Sequence, residues 1–559
     1  MATQHLEIPV LIAGAGPVGL ALSADLTSRG IPSMVIETRT EVTAHPRATL
    51  LGSRSMEYYR RLGLDDTILR SGLPTQYGYD VVFCTRLSGG QVLYAHRTPS
   101  ADQYLQAHRE MRNDLPEMGW TPYFKVQIGQ QALEPVVKDW LQQQGKADLR
   151  YGWEFESFEQ DAQGVTSQVR QIGTDERLTV RSRFLVGCDG GRSAVRTQLG
   201  IPYTGRGAMR RNVSYLFRSA DFLKVAEVGR ANLYFMFTPG GFGVFTNING
   251  RDLWNYQHYL LDHTEDDSSI DPEAEIRHAM GRDFNFEILQ VMHWSHHQSV
   301  ADRFREGNVF LAGDSAHLFC PTGGIGMNTG IADAFDLGWK LGAVLQGWGG
   351  EGLLESYEWE RRPIAFRNTL AAASNADRID SMMKTTPALI EERSPQADAL
   401  RAVFAKRLRW VSKQFNTAGL HLGYRYAESP IVVADGTAEP PDDARIVVQS
   451  TWPGCRAPHI WLEPGKSTLD LYDGQGYVLV QTGNGVADAA SAEAFQREAQ
   501  KLSIPLRCVR IDDERVAPLY EKPLVLVRPD GHVCWRGDKA PADVAAVWRI
   551  VSGNETVQA

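Results

Sequence analysis

Residues Ile8-Pro9-Val10-Leu11-Ile12-Ala13-Gly14-Ala15-Gly16-Pro17-Val18-Gly19-Leu20 hold the reading on which the fold turns. A short apolar run ends in glycine, the pattern of a buried parallel strand. Leu20 to Arg29 follows as a helix, with Gly30 as its stop. Ser33-Met34-Val35-Ile36-Glu37 is the next strand, so a βαβ unit is complete within about thirty residues. Gly14 permits the tight turn and Gly16 lets the backbone approach a pyrophosphate. Gly19 lets the helix pack closely on the strand, and a pyrophosphate would sit at the positive end of that helix, with Pro17 and Val18 as further cofactor-binding candidates. Glu37 stands 23 residues beyond Gly14, with Thr38 and Arg39 beside it. A carboxylate there accepts hydrogen bonds from ribose hydroxyls and repels a 2′-phosphate, which favours FAD or NAD over NADP.

Two further apolar runs end in functional loops. Arg183-Phe184-Leu185-Val186-Gly187-Cys188 leads into Asp189-Gly190-Gly191, and Asn308-Val309-Phe310-Leu311-Ala312 leads into Gly313-Asp314-Ser315-Ala316-His317. Both read as strands of the same sheet, and ligands of open α/β sheets lie at the carboxyl ends of such strands. Gly324 and Gly326 allow close backbone approach to a ring. A long amphipathic helix begins at Gly326-Met327-Asn328, and its unpaired N–H groups favour negative charge at that end.

The rest of the chain changes texture twice. Residues 205–300 hold short aromatic runs bounded by Gly, Pro and Asp, including Val213–Phe217, Asn232–Phe237, Phe242–Thr246 and Leu253–Tyr259, which reads as an inserted antiparallel sheet. Its Tyr215, Tyr234, Phe235, Phe237, Phe245, Trp254, Tyr256 and His258 are a candidate pocket wall. From Ile325 to about Gln414 the periodicity is helical. Asp435 to Asp443 is polar and Pro-rich, a boundary. Beyond it Leu469–Tyr472, Tyr477–Val480 and Leu524–Val527 read as strands, and Ala487–Lys501 and Pro541–Val551 as helices.

At 559 residues the chain holds roughly three to four units. A net charge of -9 argues against a nucleic-acid partner. Six scattered cysteines without C-x-x-C spacing read as reduced thiols of a cytoplasmic protein. The N-terminus has no basic region of a secretory leader, and no run of 18 apolar residues is present to span a membrane. His293, His296 and His297 lack a carboxylate or cysteine to complete a site, so no metal is expected.

Three motifs together resemble the class A flavoprotein aromatic hydroxylases, the family of para-hydroxybenzoate hydroxylase and phenol hydroxylase. They are Gly14/Gly16/Gly19, Cys188 to Arg196, and Gly313 to His317 with Pro321 and Gly326-Met327-Asn328. The resemblance covers about residues 7–430. From residue 431 the chain resembles the thioredoxin-like domain of the longer hydroxylases, through Gly454–Pro458 and Val527–Val533, but without a redox C-x-x-C.

The resemblance implies an α/β fold with a Rossmann-like FAD-binding domain (1–75, 120–204 and 301–370), an inserted antiparallel-sheet substrate domain (76–119 and 205–300), a helical segment (371–430) and a thioredoxin-like domain (431–559). It implies non-covalent FAD, with NADH or NADPH and O2 as co-substrates, a small aromatic substrate and a homodimer. Asp314 would bind the ribityl hydroxyls, Arg47 the phosphates and Gln130 (or Gln131) the ribityl chain. Asp189 and Gly190 would lie by the pyrophosphate, and Pro321 by the reacting edge of the flavin. His317 reads as a structural partner of its loop. Tyr234 and His258 are candidates to deprotonate or orient a phenol. The implied reaction hydroxylates a phenolic ring through a flavin C4a-hydroperoxide. Baeyer–Villiger or epoxidising chemistry on a polyketide-like ring, a flavin-free NAD-dependent dehydrogenase and a non-catalytic flavin-binding protein stand as alternatives.

Overall fold

The computed structural model describes residues 4–239, 241–260, 270–482 and 489–555. Its organising element is the strand Gln4–Ala13. That strand pairs in parallel with Arg177–Gly187 on one side and Ser33–Glu37 on the other. Val309–Leu311 extends the sheet beyond Arg177–Gly187, and Ala147–Tyr151 extends it beyond Ser33–Glu37, both in parallel. Val10, Leu11 and Ile12 have no exposed surface, as expected of a parallel sheet covered on both faces. Each such side chain contributes about 1.5–3 kcal/mol by burial.

Register decides where the site forms. Ala13 pairs with Gly187, and Gly187 with Leu311. The three strands therefore end level, and the loops at Gly14, Asp189 and Asp314 emerge side by side. The helix Pro17–Ser28 starts three residues earlier than its apolar periodicity suggests, because proline is favoured at the first helical position. It packs against Gly326–Leu345. That second helix is buried from Asn328 to Ala343 on every face, so its expected amphipathic character is not observed.

A second eight-stranded sheet runs in the order His317–Leu318, Glu287–Ala301, Tyr203–Arg218, Leu253–Tyr259, Gly241–Asn247, Leu233–Thr238, Val81–Cys84 and Val92–His96. Residues 81–96 thus join the sheet built by 203–301. One face of this sheet packs on the helix Pro272–Met280 through Tyr215, Tyr234, Phe245, Trp254 and Tyr256. The other meets Glu351–Lys384 and Pro395–Val411 through Phe235, Phe237, Val244 and Tyr259.

The C-terminal unit is a four-stranded mixed sheet in the order Leu506–Ile511, Tyr477–Thr482, Leu524–Val527 and Val533–Gly537. Ala489–Lys501, Val516–Tyr520 and Val544–Val551 are its helices. Two expectations are corrected here. Residues 468–471 form a 3-10 turn capped by Ser467 and Asp470 in place of a strand. The last helix starts at Val544, where Asp543 caps it by accepting from Ala546 N–H, and not at Pro541. Residues 487 and 488 of the helix expected from Ala487 lie outside the described residues. All six cysteines are unpaired.

Candidate functional site

A cavity of about 1100 Å³ runs from the carboxyl ends of the first sheet to one face of the second. Ligand pockets span about 300–1,000 Å³, so this volume has room for more than one bound molecule. At one end the wall is Gly14, Gly16, Pro17, Val18, Glu37, Thr38 and Arg39. Gly16 is the N-cap of Pro17–Ser28 and no side chain caps that helix, so its first N–H groups point at the cavity mouth. A Cβ on Gly16 would meet no atom within 4 Å, whereas one on Gly19 would stand 2.0 Å from the Gly14 carbonyl oxygen. Gly16 leaves room for a ligand, and Gly19, which does not line the cavity, lets helix and strand touch.

Glu37 accepts hydrogen bonds from the Ala15 N–H at 2.9 Å, the Arg39 N–H at 2.9 Å and Arg39 Nε at 2.9 Å. Burial pushes its carboxyl up, but the Arg39 and Ala15 hydrogen bonds outweigh that and hold it below the usual range. It is an anion aimed along the wall, and Arg39 Nη1 beside it has no hydrogen-bond acceptor.

The middle of the cavity is lined by Arg47, Gln130, Asp189, Gly190, Asp314, Pro321, Gly324, Gly326 and Met327. Gln130 Nε2 donates to Glu134 at 2.6 Å, which turns part of its amide away from the cavity. Asp189 accepts from the Ala194 N–H at 2.7 Å and the Val195 N–H at 3.2 Å, so it anchors its own loop. The Asp314 carboxylate has no hydrogen-bond donor among the described residues and opens onto the cavity. The surrounding walls raise its pKa, against the opposing pull of His317 and Arg47.

Gly313 does not line the cavity. It has φ 63°, and a Cβ there would lie 2.8 Å from Val18, so it serves the turn that presents Asp314. His317 is fully buried and bonds Asp333 at 2.6 Å, and Asp333 also accepts from the Gly313 N–H at 3.1 Å. Asn328 is a clamp: Oδ1 accepts from the Gly52 N–H and Ser55 Oγ, and Nδ2 donates to the Leu50 and Gly324 carbonyls. Its side chain is saturated by protein, so only its backbone is left for a cofactor.

The donor set fits FAD. An uncapped helix end suits a diphosphate, Glu37 suits ribose hydroxyls, and the unpaired Asp314 suits a polyol chain. These residues would hold it; the chemistry belongs to the flavin.

At the far end, Ser214, Leu233, Phe235, Val244, Thr246, Asn255, Gln257 and Tyr259 face the cavity. Strand side chains alternate between faces, so Tyr234 and His258 point the other way. Tyr234 is fully buried; its hydroxyl donates to the Gly229 carbonyl and accepts from the Ala231 N–H. His258 pairs with Glu275 at 3.1 Å. Neither reaches the cavity, which corrects both as substrate-handling candidates. Of the aromatic wall residues expected from sequence, Phe235 alone lines it.

The polar groups that do face it are ones sequence reasoning missed. Ser214 Oγ donates to Asn255 at 2.8 Å and lies 3.4 Å from His45 Nε2, and Tyr259 donates to Gln257 at 3.3 Å. Burial and the nearby Arg47 push His45 down to about 4, so it is neutral at pH 7. The signal was available: Asn255 and Gln257 share strand parity with each other and oppose Trp254 and Tyr256.

Residues 7–372 match the family described as FAD binding domain, and residues 450–554 match that described as aromatic-ring hydroxylase, C-terminal. The chain belongs to the FAD-dependent aromatic-ring hydroxylases. It is 32% identical to 4-methyl-5-nitrocatechol 5-monooxygenase from Burkholderia sp, over 97% of this chain and 96% of the relative. It is 33% identical to a putative polyketide hydroxylase of Streptomyces halstedii, over 97% and 95%. Among solved structures, the enzyme RebC with bound 7-carboxy-K252c superposes with a TM-score of 0.89 at 34% identity, over 99% of this chain and all of that one. A ternary complex of aklavinone-11 hydroxylase with FAD and aklavinone gives 0.80 at 30%, over 99% of each chain. This hydroxylase is therefore an FAD-dependent aromatic monooxygenase, and the flavin-free dehydrogenase reading falls. No described helix is long and apolar enough to cross a membrane, and no described cluster of three His, Cys, Asp or Glu could hold a metal.

Proposed function

We propose that the hydroxylase adds one oxygen atom to a phenolic substrate of more than one ring, using NAD(P)H and O2. The observation that carries this reading is the continuity of the cavity. One volume joins the Asp314 and Pro321 region to a wall that is apolar at Leu233, Phe235 and Val244 and polar at Ser214, Asn255 and Gln257. Bound FAD supplies the redox chemistry that activates oxygen and delivers one atom of it to an electron-rich ring. The chain's own part is to seat the ring, exclude water and handle the phenolic proton. Gln257, half-buried on this wall, is placed to receive the substrate hydroxyl, and buried Ser214, Asn255 and neutral His45 form a hydrogen-bonded set in the same wall.

Gly14, Gly16, Pro17, Val18, Glu37, Thr38, Arg39 and Arg47 hold the adenosine diphosphate half of the cofactor. Gln130, Asp314, Pro321, Gly324, Gly326, Met327 and the Asn328 backbone hold the flavin half. Asp189 and Gly190 stand by the pyrophosphate. In this reading residues 76–119 and 205–300 form the substrate domain. The aklavinone complex supports a multi-ring substrate, and the nitrocatechol relative supports a phenolic one. Exposed Trp359 and Leu370 on the helix Glu351–Lys384 offer apolar surface for a homodimer, and six free thiols suit a cytoplasmic setting.

The test is NADH and NADPH oxidation by FAD-loaded enzyme against one-ring and multi-ring phenols, with oxygen uptake and product mass followed together. A multi-ring phenol that accelerates oxidation and gains one ring oxygen supports the reading. Ketone substrates converted to esters, with phenols inert, would replace it with the Baeyer–Villiger alternative.

A further inference from the structure

The C-terminal unit contributes no described residue to the cavity, yet its turn at 528–532 lies inside a buried charge cluster that joins it to two helices of the rest of the chain. Arg528 has no exposed surface. It donates to Asp530 at 2.6 Å and to Glu360 at 2.9 Å, and lies 3.4 Å from Asp336. Lys340 bonds Asp336 at 2.8 Å and Glu360 at 2.5 Å. Asp336 and Lys340 belong to the helix Gly326–Leu345, whose first residues line the flavin end of the cavity.

The cluster continues to the Asp314 loop. Arg361, next to Glu360 on the same helix, bonds Asp333 at 2.8 Å and the Thr329 carbonyl at 3.1 Å. Asp333 holds both His317 and the Gly313 N–H, the two ends of the turn that presents Asp314. Tyr426 joins the halves: its hydroxyl receives Arg361 at 3.3 Å, and the Arg528 guanidinium lies over its ring at 5.1 Å. A second route runs through Arg54, which donates to the Asp530 carbonyl at 2.8 Å. Its neighbour Ser55 bonds Asn328 at the start of the cavity helix.

Buried charges are costly unless paired, and they stabilise less than apolar residues of the same volume. A chain of them between a non-catalytic unit and a cofactor loop calls for a reason other than stability. We propose that the C-terminal unit sets the tightness and seating of FAD through this chain, with Arg528 as a positioning residue. The coupling is reciprocal: whatever the unit does for FAD, FAD does for the unit.

Two experiments test this. The first is hydrogen exchange on the wild-type enzyme with and without FAD. Bound FAD is expected to slow exchange at least fivefold in 524–527 and 533–537, strands that do not line the cavity. Unchanged exchange there overturns the proposal. The second compares FAD release on dilution, followed by flavin fluorescence, in Arg528→Met, Arg528→Lys and Val480→Ala. Val480 is buried in the same unit, in the apolar cluster that includes Val525, Val527 and Val533, and carries no charge to join the chain. Arg528→Met is expected to release FAD at least tenfold faster and to shift the visible flavin band. Arg528→Lys, with its charge but without the bidentate fork, is expected to fall between. Val480→Ala is expected to lower the melting temperature while releasing FAD at the wild-type rate. Equal release by Arg528→Met and Val480→Ala at matched loss of stability overturns the proposal, as does wild-type release by Arg528→Met. Should Arg528→Met fail to fold, the exchange experiment decides alone.

Discussion

Two glycines three residues apart separate cofactor binding from folding. At Gly16 the backbone has φ -73° and ψ -178°, which any residue adopts, and an added Cβ meets nothing within 4 Å. Gly16→Ala therefore leaves the fold near its starting stability. The small gain from a less flexible unfolded chain, about 0.4–1 kcal/mol, is offset by alanine's poorer helix capping. In the proposed FAD placement the new methyl stands in the diphosphate cradle and pushes the ligand off one or two charge-assisted hydrogen bonds. At about 1.5–3 kcal/mol for each, the expected loss of FAD affinity runs from roughly tenfold for one weak bond to about ten-thousandfold for two strong ones. At Gly19 the added Cβ would sit 2.0 Å from the Gly14 carbonyl oxygen and 3.3 Å from Ile12. Gly19→Ala must push the helix off the central strand, an overpacking cost of about 1–3 kcal/mol, at the upper end because the opposing atom is backbone. The assay is a fluorescence titration with FAD beside thermal melts of the apoproteins. Gly16→Ala is expected to melt normally and bind weakly, and Gly19→Ala to melt early. The reasoning is refuted if Gly16→Ala binds FAD as the wild type does, or if the two apoproteins melt alike.

Three other outcomes are expected. Asp314→Ala purifies with little flavin, read from the visible flavin band against protein absorbance; a full complement would displace Asp314 from the cofactor site. Gln257→Ala raises the KM for the aromatic substrate several-fold, while Tyr234→Phe leaves KM unchanged and loses about 1–3 kcal/mol in denaturant unfolding, because the Ala231 N–H and Gly229 carbonyl lose their partner. Burial, followed by neighbouring cations, pushes His45 to about 4 and His421 to about 3. From near pH 6.5 down to those values the unfolded chain binds protons that the folded chain does not, so stability falls as pH falls. The slope is about 1.4 kcal/mol per pH unit for each such histidine within its window. His421→Gln should flatten the urea-midpoint profile below pH 6.5, and an unchanged profile would count against the assignment.

The first half of the site is legible in the sequence because its demands are backbone demands. Gly14 and Gly16 are needed where the chain turns and approaches a ligand, and no partner elsewhere substitutes for them. The paired strand ends could be foreseen from their shared apolar-run-then-glycine pattern, and register then sets Asp189 beside Asp314. The substrate end is less legible because it depends on which face of a strand is inward. Tyr234 and His258 carry suggestive chemistry but the wrong parity, and both faces of that sheet are aromatic. Asn328 shows a second limit. Its four hydrogen bonds go to Leu50, Gly52, Gly324 and Ser55, three of them nearly 280 residues away, and no local pattern announces that. Residues 468–471 show a third: the local hydrogen bonds of Ser467 and Asp470 override an apolar alternation that reads as a strand.

The second sheet has a use beyond the ring-holding role proposed for it. Tyr234, Met236, Trp254 and Tyr256 lock it to the helix Pro272–Met280, while Leu233, Phe235, Asn255, Gln257 and Tyr259 face the cavity. In the proposed reading, selectivity is written in the polar positions of the inward face and foldability in the apolar positions of both faces. Ser214, Thr246, Asn255 and Gln257 stand outside the apolar clusters that hold the sheet to its helices, so these inward letters can be respelled with both cores left in place. Libraries confined to positions 214, 246, 255 and 257 exploit the same separation, and they should return a high share of soluble, flavin-loaded enzymes with altered preferences.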